Sequence, residues 1–195
     1  MKQIFLTVLL AVLVLSCAGA QQQSQQSSAA ATAATAAAEI TFTFTRQSGA
    51  ASNQYAVWIE DTQGHHVKTL YATRWTANGG YLTRPTSIPI WVRIFNLANM
   101  SRSQIDAVSG ATPSTGTVTY TWDGTNSAGA AVPAGDYVLV LEGTLRWENQ
   151  VYYRAPFHLG QGAATPQVNI EYISGDRDTT AERAMIRDVR VRVLR

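Results

Sequence analysis

Apolar residues recur at every second position through most of this chain, and that period restricts what it can fold into. Ile40, Phe42 and Phe44 alternate with Thr41, Thr43 and Thr45. Tyr55, Val57 and Ile59 alternate with Ala56, Trp58 and Glu60, and Val118, Tyr120 and Trp122 keep the same rhythm. Tyr137, Leu139 and Leu141 alternate with Val138, Val140 and Glu142. Successive side chains of a strand point to opposite faces, so each run predicts a strand with one face in a core. Val67–Tyr71, Val151–Leu159, Val168–Ile173 and Val189–Leu194 add further strands. Asp61-Thr62-Gln63-Gly64 reads as the turn of a hairpin, and Asp123-Gly124 as another turn. Short strands broken by frequent turns predict an all-β fold, a β-sandwich.

The middle of the chain changes period. Trp91, Ile94, Phe95 and Ala98 recur at three- and four-residue spacing, which predicts a helix with Pro89 in its first turn. Ser101-Arg102-Ser103-Gln104 is a capping-box pattern, followed by Ile105 and Val108 as an apolar face. Gly110 then suits a position just past the helix end, and Pro113 a stop. The expectation is a short helical insertion at about 88–110, between two strands.

The first residues have a different role. Lys2, an apolar run from Ile4 to Leu15 and then small residues form a secretory signal peptide over residues 1–20. The apolar run is too short to span a bilayer. Two cleavage readings are open. Ala18-Gly19-Ala20 is an A-x-A site releasing a chain that starts at Gln21. Val14-Leu15-Ser16-Cys17 resembles a bacterial lipobox, which would make Cys17 a lipidated N-terminus and place the protein at the outer membrane. Either reading places the protein in the periplasm or cell envelope. Residues 21–38 are Gln, Ser, Ala and Thr alone, so they read as a disordered linker. Residues 39–195 then suit one domain. Cys17 is the only cysteine, so that domain is built without a disulfide.

Setting Lys2 aside, 14 of the 15 basic side chains remain against 13 acidic ones, a balance that argues against a nucleic-acid partner. There is no G-x-S-x-G, no H-E-x-x-H and no phosphate-cradling glycine loop. His65, His66 and His158 are too dispersed to suggest a metal site. The expectation is a protein that is not itself an enzyme. Trp58, Trp75, Trp91, Trp122 and Trp147 read mainly as core, with stacking on a flavin or sugar as the other use of such rings. Arg190 and Arg192 share one face of the last strand, a solvated face on an edge.

Asp106-Ala107-Val108-Ser109-Gly110-Ala111-Thr112 resembles the acceptor motif at which bacterial flavin transferases attach FMN to a hydroxyl. The resemblance implies Thr112 as the acceptor of covalent FMN. A magnesium-dependent transferase would pass the FMN half of FAD to the hydroxyl and release AMP. Ser109, Gly110 and Ala111 supply small bulk, Gly110 adds a bend, and Asp106 would help the transferase hold its metal or hold the loop. The same residues also fit a purely structural loop, with Ser109 in the last helical turn.

Trp122-Asp123-Gly124-Thr125-Asn126-Ser127-Ala128-Gly129, then Val132 to Tyr137, resembles the immunoglobulin-like domain of flagellar hook-capping proteins. Tyr137 resembles a tyrosine corner, and Gly124 and Gly129 suit positive φ. Together with Ala56 to Glu60, Lys68-Thr69-Leu70, Arg84-Pro85 and Pro89-Ile90-Trp91, the stretch from Tyr55 to Leu159 is similar to a family of predicted periplasmic proteins of unknown function (domain of unknown function 2271). Members are associated with flavin transferases and membrane redox proteins. The resemblances imply an immunoglobulin-like β-sandwich with a short helical insertion. They also imply an extracytoplasmic flavin-carrying accessory of electron transfer, with those proteins as partners. The competing expectation is a non-catalytic structural or adaptor module that binds a partner protein.

Overall fold

The computed structural model describes residues 36–48, 53–146, 148–175 and 180–195. The signal peptide, Cys17, the linker up to Thr35 and Trp147 lie outside the described residues. β1 (Ala38–Phe44) pairs antiparallel with β5 (Gly116–Trp122) on one side and β9 (Ile186–Val193) on the other. Strand and burial begin earlier than expected: Ala36, Ala37 and Ala38 are all buried, so the end of the alanine-rich segment belongs to the core. Small side chains there let Ala37 N–H donate to the Trp122 carbonyl at 2.6 Å.

The second sheet has six strands in the order β4 (Ser109–Gly110), β3 (His66–Thr73), β2 (Gln54–Asp61), β6 (Gly135–Thr144), β7 (Gln150–Leu159) and β8 (Asn169–Ile173). All neighbours are antiparallel except the β3–β4 pair. The hairpin expected at Asp61–Gly64 is present, with two register shifts along β2–β3.

The sheets bury their facing sides against each other, as period two requires. Ile40, Phe42 and Phe44 meet Tyr55, Val57, Ile59, Leu139, Leu141 and the inward residues of β7. Trp122 is fully buried, with Tyr137 and Phe157 edge-on to it at 5.4 and 5.9 Å. The Tyr137 hydroxyl donates to the Pro133 carbonyl at 2.8 Å, the backward bond expected of it. Gly124 and Gly129 take φ of 78° and 79°, as the turn requires.

The outer face of the six-stranded sheet is covered too over β3, β2 and β6. There the chain runs from β3 through a π-helical turn (Thr76–Gly80), α1 (Tyr81–Thr83), α2 (Pro89–Ile94), a 3₁₀ turn (Leu97–Asn99) and α3 (Arg102–Val108). Trp91, Phe95, Leu97 and Ile88 pack onto Ala56, Trp58, Ala72 and Val140. The helical insertion therefore starts near residue 74, not 88. The stretch from Thr76 to Gly80 has no apolar stripe to announce it, and its turn includes Gly79 at φ 101°.

Polar groups on the sheet hold this cover. Pro89 has no N–H, and the next two donors of α2, Ile90 and Trp91, give to the buried Glu142 carboxylate at 3.1 and 2.8 Å. Glu142 thus caps a helix whose own N-cap residue, Ile88, has no side-chain acceptor. Ile88 sits at φ 41°, rare for a β-branched residue, and its N–H donates to Thr144 Oγ1 at 2.7 Å. Tyr152, across from Glu142 on β7, donates to the same carboxylate at 2.9 Å. Burial dominates and pushes the Glu142 carboxyl up to about 7.

Candidate functional site

α3 opens on the expected capping box. Ser101 Oγ accepts from the Gln104 N–H, and Gln104 Oε1 accepts from the Ser101 N–H. Ile105 and Val108 turn toward the sheet. The helix stops at Val108, and Ser109 is already extended, at φ −110° and ψ 142°. Ser109 is therefore not in the last helical turn.

Gly110 also departs from expectation. It is a strand residue paired with Thr73, as Ser109 is with Ala72, and its φ is not positive. What demands glycine is closeness. A Cβ at Gly110 would lie 2.7 Å from Tyr71 Cε2. The Tyr71 hydroxyl then reaches past it and donates to the Ala111 carbonyl at 2.6 Å. Tyr71 itself is fixed from below. Its ring stacks on Tyr120 at 4.8 Å and lies 5.2 Å from Tyr55, and the Tyr55 and Tyr120 hydroxyls are hydrogen-bonded at 2.7 Å. Burial pushes the Tyr71 hydroxyl up to about 12, so it stays a donor at any ordinary pH.

Beyond Ala111 the chain leaves regular structure. Ala111 is exposed, Thr112 and Pro113 are half-buried, and Ser114 and Thr115 are exposed. Thr115 Oγ1 accepts from the Arg46 N–H at 2.9 Å before β5 begins. Residues 111–114 thus form a short loop tied at both ends to the sheets. Asp106 lies back on α3, exposed, with its carboxylate 3.4 Å from Arg102 Nε one turn earlier. That ion pair, rather than a loop amide, is its partner. Ser109 Oγ is buried and has no hydrogen-bond partner among the described residues.

Thr112 borders an open groove of about 610 Å³. Ala111 and Thr112 line it together with Arg74, Trp75, Asn78 and Gly80. A volume of this order suits a small ligand. The pocket at Leu145, Asn149 and Tyr172, about 10 Å³, holds no more than a water. Trp75 is 47% exposed, whereas Trp58, Trp91 and Trp122 are in the core. The indole rests on Gly80, where a Cβ would come within 2.5 Å of Cδ2 and Cε3. Arg74 is exposed and has no ion-pair partner among the described residues, and its charge acts on Tyr71.

The motif supplied Asp106, Ser109, Gly110, Ala111 and Thr112, but the other residues lining the groove were missed. Arg74 and Gly80 carried no motif, Trp75 was one aromatic among several, and Tyr71 read as an ordinary strand residue. An FMN on Thr112 fits the donor set beside it, which offers a cation for a phosphodiester and an aromatic face for a flat ring.

Elsewhere among the described residues no comparable cluster forms. Among the described residues no group of three His, Cys, Asp or Glu side chains could hold a metal ion. His65 pairs with Asp61 and His158 with Asp136, and His66 shares Thr69 with Trp91. Burial alone pushes the His66 imidazole down to about 4. No described helix is long and apolar enough to cross a membrane.

A family model described as predicted periplasmic protein (DUF2271) matches residues 35–173. The match spans the six-stranded sheet, the helical cover and the loop at Thr112, and stops before β9. No curated protein and no solved structure matches the chain.

Proposed function

We propose, for a chain that belongs to this family of predicted periplasmic proteins, that it carries FMN covalently on Thr112. It would serve as an extracytoplasmic accessory of electron transfer. The observation that carries this reading is the setting of Thr112: a hydroxyl behind small residues, on a loop tied at both ends, beside a groove with an exposed indole and a cation that has no ion-pair partner among the described residues.

The chemistry is a phosphoryl transfer done by another enzyme. The Thr112 Oγ1–P bond forms, the pyrophosphate P–O bond of FAD breaks, AMP leaves, and the hydroxyl proton passes to solvent. Binding in a foreign active site requires a loop that can enter it while its base stays fixed. Tyr71 fixes the base by holding the Ala111 carbonyl and by filling the space under Gly110. Asp106, exposed on the helix before the loop, would be available to the transferase or its metal. When bound, the flavin supplies reversible redox chemistry, and the protein supplies attachment and orientation. Donor and acceptor would be cell-envelope redox proteins. Cys17, if lipidated, would keep the domain at the membrane.

Co-production with a flavin transferase is the test. The expected result is one FMN per chain by intact mass and a fluorescent band that survives denaturation. Thr112→Ala should abolish both, and Ser114→Ala and Thr115→Ala should leave them unchanged.

A second reading, an adaptor that binds a partner protein, is favoured by β8. Every residue of this edge strand is exposed, including Ile170, Tyr172 and Ile173. An exposed apolar edge offers a template for strand addition. That reading takes precedence if wild-type protein stays unlabelled while a control acceptor in the same cells is labelled.

A further inference from the structure

Building on the carrier reading, we propose that the groove beside Thr112 is the resting seat of the attached flavin. Trp75 stacks on its ring, and Arg74 pairs with its phosphodiester.

Position comes first. Thr112 is itself a wall of the groove, so a flavin held there starts at its edge. Arg74 and Trp75, which line the same groove, then match two parts of the attached group. Arg74 is a cation without an acidic partner among the described residues, and the link to Thr112 carries one negative charge. Trp75 leaves nearly half of its surface outside the protein while the other groove-independent tryptophans described are buried. The indole is also placed rather than loose. Gly80 lies under it so closely that any side chain at that position would push the ring away. Gly79, at φ 101°, turns the chain to bring Gly80 there. A flat aromatic ligand on an exposed indole is the pairing this geometry favours.

A seated flavin and a freely swinging one differ in observables that do not depend on turnover. Indole in contact with flavin quenches its emission, and a stacked ring tumbles with the protein. The experiment uses the full chain, co-produced with a flavin transferase, as wild type, Trp75→Leu and Trp75→Tyr. Intact mass gives the labelled fraction of each. Emission per bound flavin is compared with free FMN, and anisotropy decay reports local ring motion. The wild type should be quenched and lack fast ring motion. Trp75→Leu should label equally but emit about fivefold more, the population change expected when one base-like stack is lost. Trp75→Tyr should stay quenched, because it keeps an electron-rich ring. Equal labelling with unchanged emission in Trp75→Leu, or wild-type emission equal to that of free FMN, overturns the seat and leaves the carrier reading standing. No label on wild type removes the carrier reading, and the seat with it.

Discussion

Between the two sheets the buried surface is apolar and aromatic, and beneath the helical cover it is studded with polar groups. The first layer is built from Ile40, Phe42, Phe44, Val57, Ile59, Leu139, Leu141 and Trp122. The second mixes Trp58, Trp91 and Val140 with buried Glu60, Glu142, Thr69, Thr76, Ser87 and Thr144. The difference follows from what each layer covers. Paired strands satisfy their own backbone, so a sheet facing a sheet needs only shape and apolar area. Short helices joined by irregular turns bring unpaired N–H groups to the sheet, and each must find an acceptor. Glu142 and Thr144 supply acceptors for Ile88, Ile90 and Trp91. Thr76, at the start of the turn that lines the groove, bonds to Gln54 on β2 and to Ser87. The polar layer is therefore the one able to hold irregular chain in place, whereas the Thr112 loop is held from the apolar side, by Tyr71 packed on Tyr55 and Tyr120.

Breaking the apolar layer should have the largest effect. Trp122→Ala should cost about 3–5 kcal/mol in denaturant unfolding. A loss below about 1 kcal/mol would mean that the ring is not a central anchor.

Glu142 tests the polar layer. Glu142→Ala leaves the Ile90 and Trp91 N–H groups without their acceptor and should cost about 2–4 kcal/mol. Its titration adds a pH signature. The carboxyl moves from 4.5 to about 7 on folding, so the folded state holds the extra proton between those values. Glu142 stabilises fully below pH 4.5, and that contribution is lost as pH rises through 7, by roughly 3 kcal/mol in total. Glu142→Gln should remove this part of the slope. A slope identical to wild type would show that the carboxyl does not titrate there.

The junction with the loop should respond more mildly. Gly110→Ala forces a methyl against the packed Tyr71 ring and should cost about 1–3 kcal/mol, with faster amide exchange at Ala111. Unchanged stability and exchange would mean that the close approach relaxes freely. Tyr71→Phe keeps the ring and loses the bond to the Ala111 carbonyl, for about 1 kcal/mol. Global unfolding and exchange at 109–112 both matching wild type would show that the hydroxyl does not hold the loop.

The same contrast explains what could be read beforehand. Period two identified the strands of the apolar layer because only one face of each had to be apolar. It also led to Trp122, while the resemblance of Tyr137 to a tyrosine corner pointed to its hydroxyl bond. The Ser101 capping box and the Pro89 start were local chemistry and were equally legible. The polar layer was not. Ala56 and Trp58 alternate with residues that are buried as well, so β2 hides its second covered face. Glu142 and Glu60 look like solvent positions, and only the helix above shows why they are inside. Gly110 looked like a helix cap because Ser-Gly-Ala suits one. Its real constraint, the Tyr71 ring, lies 39 positions earlier in the chain. The groove wall from Arg74 to Gly80 has no period to reveal it.

The most direct test of the central claim is the intact mass of the mature chain, purified from cells that hold a working flavin transferase. Wild type should carry one added FMN and Thr112→Ala none, with the modified peptide containing Thr112. An unmodified wild-type mass, beside a control acceptor labelled in the same cells, would contradict it.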